Sequence, residues 1–233
     1  MDATYFLKQR TGLIRFFYAE SVKPFEDIKS RIENSESPYD NPPYSEDPEP
    51  PFLGEWMDAE TAKDLLGLSA VSLLSDTLKL YFQTLQKQVI GFEFQEAEKA
   101  LAKKQGFVAA YIAVLGHILD TDWSDCPVRL DVIEQVVLAR NRGQHGTNLT
   151  SLNVRHDNGT LTKYSKPFFA REAEWQTWQA AGGNPDSLFA PSLQVTQERL
   201  LLAIDEVERL ADWVDGRLPK AYEWRAKAVA TKS

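Results

Sequence analysis

The chain has 233 residues, 43% hydrophobic and 26% charged, a composition typical of globular proteins that bury a sizeable core. No apolar run approaches the roughly 18 residues of a membrane span, the N-terminus lacks the features of a secretory signal, and the single cysteine, Cys126, excludes an intrachain disulfide. The formal net charge of −8 disfavours a nucleic-acid partner only if the charge is spread evenly over the chain. We expect a cytoplasmic protein that does not bind membranes.

The first 54 residues predict a long helix followed by an acidic loop. Hydrophobic residues recur every three or four positions over residues 3–33, which predicts one helix that Pro24 kinks or splits. Residues 34–54 hold six of the twelve prolines and predict an extended loop. Eight acids and no lysine or arginine lie between residues 34 and 60. The formal charge of this stretch therefore equals the net charge of the whole chain, and the rest of the chain is formally neutral.

Three more helices are predicted in the middle of the chain. An apolar stripe predicts a helix over residues 58–89, with Asp58 as its N-cap and Gly91 as its end. The next helix starts near Phe94 and, after an interruption at Gly106, continues as a nearly all-apolar segment.

An acid-rich turn separates that segment from the fourth predicted helix. Residues 120–125 lack the ligand spacing of a calcium loop, so we expect them to cap a helix. The fourth helix is predicted from Pro127 to about Arg142, where Gly143 and Gly146 end it.

The last third of the chain predicts a hairpin and two helices. Residues 147–169 alternate around Asp157-Asn158-Gly159, which predicts a β-hairpin. A short helix is expected over residues 170–180 and a last helix over 192–217, the latter with an inward stripe of Val195, Leu200, Ile204, Val207, Leu210, Ala211 and Val214. The sequence therefore predicts a single all-α domain, an up-and-down helical bundle with a small β-hairpin insertion before the last helix.

The charge bias reverses between residues 139 and 171. This stretch contains one acid, Asp157, and six basic residues, so its formal charge is +5. The basic residues are Arg140, Arg142, Arg155, Lys163, Lys166 and Arg171. Such a region can bind phosphates even in an acidic protein, because salt limits the reach of distant charge to about 10 Å. The alternative is an ordinary solvated surface.

The most informative motif is Arg140-Asn141-Arg142-Gly143-Gln144-His145. On a continuous helix the five-residue separation would place Arg140 and His145 about 140° apart. A helix that ends at Gly143 would redirect His145 and allow both side chains to meet in one cleft.

An all-α chain with Arg, four residues and then His on a late helix, with Asn directly after the Arg, resembles the HEPN superfamily. The resemblance covers about residues 1–147 and the last helix. It implies a metal-independent endoribonuclease that acts as a homodimer and needs no cofactor, and often a toxin or antiviral-defence effector, with an antitoxin or other partner protein. It carries over to Arg140, Asn141 and His145. One branch of the family has a modified Tyr two residues after the His, where this chain has Thr147.

This chemistry requires no metal. RNA supplies its own nucleophile, the 2′-hydroxyl, and a histidine can take its proton or protonate the leaving 5′-oxygen. Arg140 would hold the scissile phosphate and stabilise the charge that develops on its oxygens, and Asn141 would position the phosphate or Arg140. We expect Arg142, Gln144, Arg155, Lys163 and Lys166 to bind the RNA around the cut.

Three alternatives remain open from the sequence. Arg140 and His145 could only cap helix carbonyls, the acidic proline loop could make the protein a non-catalytic interaction module, or that loop could mask the basic cleft. Metal-dependent hydrolysis is disfavoured, because the acids and the three histidines form no recognised ligand set.

Overall fold

The protein is described by a computed structural model that covers residues 2–44, 46, 48–144, 153–184 and 190–230. Over these residues the chain is mostly helical and contains no β-strand, so the all-α prediction is confirmed. Two single-residue antiparallel bridges are present, Arg155 with Ser192 and Ala170 with Leu193.

The described residues form helices with the following bounds: α1 (Ala3–Glu33), α2 (Leu53–Thr84), α3 (Glu96–Gln105), α4 (Phe107–Ile118), α5 (Leu130–Gln144), α6 (Asn158–Lys163), α7 (Glu172–Ala180), α8 (Gln197–Asp215) and α9 (Leu218–Ala230). A π-helical turn, Leu85–Ile90, extends α2. Helix α9 was not predicted from the sequence.

Glycine signals were read correctly at two helix ends. Gly91 adopts φ +78° after the π-helical turn, and its backbone N–H donates to the carbonyl of Gln86. Gly106, at φ +90°, separates α3 from α4. The N-cap assigned to Asp58 was wrong, because α2 already begins at Leu53.

The predicted helix end at Gly143 was also wrong. Helix α5 continues through Gly143 to Gln144. A Cβ at Gly143 would lie 3.4 Å from the Cδ2 atom of Leu68, which is an ordinary van der Waals distance. Gly143 therefore lies inside the helix next to α2, and neither a helix end nor close packing requires a glycine there.

The β-hairpin prediction was wrong where the structure describes it. The expected second strand is helical, since Thr160 to Lys163 belong to α6. The Asp157 carboxylate accepts a hydrogen bond of 2.8 Å from the backbone N–H of Thr160, so Asp157-Asn158-Gly159 starts a helix rather than a tight turn. Residues 150–152 of the expected first strand lie outside the described residues.

The chain divides into two compact units. Unit 1 consists of Met1–Ile14, Leu73–Leu138 and Leu201–Ser233, and unit 2 of Arg15–Ser72 and Ala139–Leu200. Helices α1, α2, α5 and α8 each contribute residues to both units.

The core of unit 1 combines leucines with stacked aromatic rings. Phe82 and Tyr111 lie nearly parallel with their ring centroids 4.7 Å apart, and the Tyr111 hydroxyl donates to the Gln86 side chain at 2.6 Å. Trp123 and Trp213 form a second stacked pair, also at 4.7 Å. All seven residues of the inward stripe predicted for the last helix are buried.

Of the eight apolar residues that form the stripe predicted for α1, the four nearest the N-terminus are exposed, Val22 is buried, and Phe25, Ile28 and Ile32 are partly buried. Phe6, Leu13 and Phe16 are 47%, 66% and 62% exposed. In the first half of α1 the buried side carries Leu7, Thr11, Ile14 and Tyr18, which also recur every three or four residues and lead to Val22. Helix α1 therefore has apolar residues on more than one face.

Unit 2 has its own small hydrophobic cluster. Leu161 of α6, Ala170, and Trp175 and Trp178 of α7 are buried together. Close approach of backbone segments also holds this unit, because a Cβ at Gly67 would overlap the carbonyl oxygen of Val195.

One described helical stretch, Leu53–Ile90, is long and apolar enough to cross a membrane by length and composition. Its most apolar window is 56% buried inside the protein. Buried core helices of soluble proteins have this character, because their apolar side chains face other helices instead of lipid.

Candidate functional site

The C-terminal end of α5 carries the first part of the predicted motif. Arg140 is partly buried and Asn141 is exposed. The Nη1 atom of Arg140 donates a hydrogen bond of 3.2 Å to the side-chain oxygen of Asn141. Asn141 thus contacts the guanidinium, and its role in positioning Arg140 or a phosphate stays a prediction.

The guanidinium of Arg142 is engaged by the backbone. Its Nε and Nη2 atoms donate to the carbonyl oxygen of Arg155 at 3.2 and 3.1 Å, and Nε lies 3.9 Å from the Asp157 carboxylate. These contacts tie the end of α5 to the segment that leads into α6. Arg142 therefore acts at least as a structural clamp.

His145 lies outside the described residues, directly after the last residue of α5. Gln144, that last residue, is exposed. Because α5 continues through Gly143, the change of direction predicted at that glycine does not occur there. The meeting of the two side chains stays a prediction.

Lys163 and Lys166, which were predicted to bind RNA, are exposed and lie close to other side chains. Lys166 Nζ lies 2.8 and 2.7 Å from the two carboxylate oxygens of Glu172. Lys163 Nζ lies 5.4 Å from the centroid of the Tyr164 ring. The positive charge of the region is therefore partly offset by acids from outside residues 139–171.

Arg171 belongs to an ionic network that the sequence did not reveal. Its guanidinium contacts the Asp64 carboxylate, and Asp64 also accepts a hydrogen bond of 3.2 Å from Gln194. Burial raises the pKa of Asp64 above its usual value even though Arg171 opposes this. Burial also acts to raise the pKa of Glu60, but its hydrogen bond and ion pair with Lys29 lower it overall. Since Asp64 and Arg171 are 107 positions apart, no local pattern could indicate their pairing.

His156 lies within the basic stretch of residues 139–171 and is buried. Only 7% of the residue is exposed. Burial lowers the pKa of His156 to about 4, against the opposing effect of a hydrogen bond with the backbone of Phe169. The imidazole is therefore neutral near pH 7 and adds no positive charge to a phosphate site.

A cavity of about 550 Å³ opens beside the segment that Arg142 clamps. Its walls combine apolar, amide and charged groups: Asn153, Arg155, Ala173, Glu174, Thr177, Trp178, Ala181, Asn184, Ala190 and Ser192. The Glu174 carboxylate accepts a 2.6 Å hydrogen bond from the backbone N–H of Ser192, and the Trp178 indole donates to the carbonyl of Asn184 at 3.1 Å. These bonds fix two walls of the cavity, whose volume is in the usual range for small-ligand sites.

Among the described residues no group of three or more His, Cys, Asp or Glu side chains is placed to hold a metal ion. The acid-rich turn is closed by its own side chains, since the Asp122 carboxylate accepts a 2.9 Å hydrogen bond from the backbone N–H of Ser124. Asp125 forms an ion pair with Arg217.

Comparison with known proteins gives no relative. No protein-family model, curated protein or solved structure matches the chain. The functional conclusion therefore rests on the residues themselves.

Proposed function

We propose that this protein is a metal-independent endoribonuclease of the HEPN type that acts as a homodimer. Arg140, Asn141 and His145 form its catalytic group. The resemblance at the end of α5 and the mostly helical fold support this proposal.

The observation that carries the proposal is the link between the motif and the cavity. Arg142 of the motif donates two hydrogen bonds to the carbonyl of Arg155, and the side chain of Arg155 lines the cavity. If RNA binds at the end of α5, a nucleotide next to the cleaved one could therefore enter this cavity.

The chemistry of the cavity suits a nucleotide. The exposed side chains of Ala173 and Ala181, with the small accessible part of the buried Trp178, offer an apolar surface for a base, and Asn153 and Asn184 bring polar groups to the same lining. The Arg155 guanidinium can bind a phosphate, with two hydrogen bonds to its oxygens. Sequence-selective RNA binding commonly uses such pockets for unstacked bases.

The proposed reaction is transesterification of the RNA backbone. His145 takes the proton of the 2′-hydroxyl, the 2′-oxygen forms a bond to phosphorus, and the bond to the 5′-oxygen breaks. The leaving 5′-oxygen receives a proton, for which the His145 of a second subunit in a shared cleft is suited. Arg140 stabilises the charge on the phosphate oxygens. The product ends are a 2′,3′-cyclic phosphate and a 5′-hydroxyl.

The test is cleavage of single-stranded RNA by the purified full chain in the presence of a metal chelator. We expect cleavage of RNA but not of DNA or of 2′-O-methylated RNA, because both lack the nucleophile. His145→Ala and Arg140→Ala should each lower the rate by on the order of 10²-fold or more. His117→Ala, a histidine of α4 outside the motif, is the matched control and should keep full activity.

Circular dichroism and the melting temperature establish that each variant folds. Cleavage that survives in folded His145→Ala, or that requires added metal, would refute the proposed mechanism.

A second candidate function is a non-catalytic module that binds another protein. The exposed apolar side chains of α1 and α2 favour it, since a surface such as Phe6, Leu13, Leu73 and Leu80 commonly marks an interface. Absence of cleavage by a folded, dimeric wild-type protein would favour this reading.

A further inference from the structure

The acidic proline loop forms a second cavity in unit 2, where α1 ends and α2 begins. The cavity measures about 440 Å³ and is lined by Ile32, Glu33, Ser35, Tyr39, Pro42, Pro50, Pro51, Phe52, Leu53 and Trp56. Three of these residues are aromatic, and Glu33 is the charged member of the described lining. We call it the aromatic pocket.

Two of its aromatic rings are held together by the loop. Tyr39 and Phe52 meet edge to face, with their centroids 5.0 Å apart and an angle of 72° between the rings. Phe52 adopts φ +59°, which is strained for a bulky side chain. Strain of this kind persists where surrounding structure fixes it, and it is found most often at binding sites.

The third ring already shows that it attracts cations. Lys29 Nζ lies 4.1 Å from the centroid of the Trp56 ring, and the Trp56 indole N–H donates to the Glu33 carboxylate at 2.8 Å. Lys29 is paired with Glu60, so its charge is neutralised within the fold. Glu33 thus sets the orientation of the indole and adds negative charge at the pocket.

The local charge favours a positive ligand. From residue 32 to residue 62 the sequence contains nine acids and no lysine or arginine. Of the two cations that precede this stretch, Lys29 is paired with Glu60 and Arg31 with Asp27 at 2.9 Å, and Arg31 also donates a hydrogen bond of 3.3 Å to the backbone carbonyl of Ser37 in the loop. No cationic side chain appears among the described lining residues of the aromatic pocket.

We propose that the aromatic pocket binds an organic cation of the methylated-ammonium class. The faces of aromatic rings attract such cations through the ring quadrupole, and a carboxylate nearby adds to the attraction. A methylated ammonium carries positive charge but is weakly hydrated compared with a metal ion or a lysine ammonium. It therefore suits a pocket whose walls are mainly rings and prolines.

The test measures binding of choline to the full chain by isothermal titration calorimetry, compared with its neutral isostere 3,3-dimethylbutan-1-ol. The isostere has the same shape without the charge. We expect choline to bind at least about tenfold more tightly, which corresponds to about 1.4 kcal/mol. Equal binding of the two compounds, or no choline binding at concentrations on the order of 10 mM, overturns the proposal.

Variants locate the site. Tyr39→Leu should weaken choline binding by about fivefold or more, whereas Tyr39→Phe keeps the ring and should stay within about twofold. Glu33→Gln should also weaken it. Tyr44→Leu is the matched control, because Tyr44 belongs to the same loop, is 91% exposed and does not line the pocket. A loss in Tyr44→Leu equal to that in Tyr39→Leu contradicts the assignment.

The same cation could come from a small molecule or from a methylated lysine. A parallel titration with Nα-acetyl-trimethyllysine amide distinguishes these sources. Tighter binding than choline assigns the pocket to a modified side chain, and weaker binding assigns it to a free small molecule. Neither result depends on the ribonuclease proposal, since no catalytic residue lines this pocket.

Discussion

At the scale of single residues, the burial of His156 couples stability to pH. The pKa of its imidazole is 6.5 in its ordinary state and about 4 in the folded protein, because burial disfavours the charged form. Between these two values the unfolded chain binds more protons than the folded chain. The free energy of unfolding therefore falls as the pH drops from 6.5 towards 4, and His156 adds nothing further to this fall below that range.

We expect His156 to account for a loss of roughly 3 kcal/mol over this interval. His156→Gln removes the titration and can keep a hydrogen bond to the backbone, so its unfolding free energy should depend less on pH. Urea unfolding at pH 6.5 and pH 4 measures the difference. His117→Gln is the control and should keep the wild-type pH dependence. If His156→Gln and wild type lose equal stability, the imidazole is not buried as described.

At the scale of elements, two glycines in long helices have opposite roles. In α2, a Cβ at Gly67 would overlap the backbone carbonyl of Val195, and a backbone atom cannot rotate away. In α1, a Cβ at Gly12 would meet no atom within 4 Å. The first glycine is required by packing, and the second only lowers helix propensity.

We therefore expect Gly67→Ala to destabilise the protein by about 1–3 kcal/mol through overpacking. Gly12→Ala should stabilise it by about 0.5–1 kcal/mol, because alanine loses less backbone entropy in a helix. Denaturant unfolding of the two matched variants measures both effects. Stabilisation by Gly67→Ala would show that α2 and the Val195 segment are not in close contact.

At the scale of the whole molecule, unit 1 presents apolar side chains that a second copy could cover. Phe6 of α1 and Leu80 of α2 line one shallow groove, and Leu13 and Leu73 lie seven residues from them along the same helices. A spacing of seven residues returns to nearly the same side of a helix. These four side chains are 44–66% exposed, and exposed apolar side chains that cluster on one side of a protein commonly mark an interface.

The homodimer proposal predicts that Leu13→Glu combined with Leu80→Glu yields a monomer. Two buried charges in the interface would carry a large desolvation cost. Sedimentation equilibrium gives the mass, and the RNA-cleavage assay shows whether the shared cleft needs two copies. Leu202→Glu, an equally exposed leucine of α8, should leave the dimer intact. A wild-type monomer that cleaves RNA would contradict the dimeric cleft.

Sequence patterns predicted the features that depend on neighbouring residues. The periodicity of α8, the helix end at Gly91 and the break at Gly106 follow from local backbone preferences. The β-hairpin prediction failed because two local signals compete at Asp157-Asn158-Gly159. The Asp157 N-cap and the burial of Leu161 against Trp175 and Trp178 favour the helix.

Only the tertiary structure decided which of the predicted site residues are engaged and how. Arg142 donates to a carbonyl 13 residues away, and Lys166 is paired with Glu172. These outcomes depend on atoms that are brought together by packing, and a linear pattern does not contain their distances. The sequence by itself determined the helical class and the position of the Arg-x4-His motif, because both depend only on the spacing of residue types along the chain.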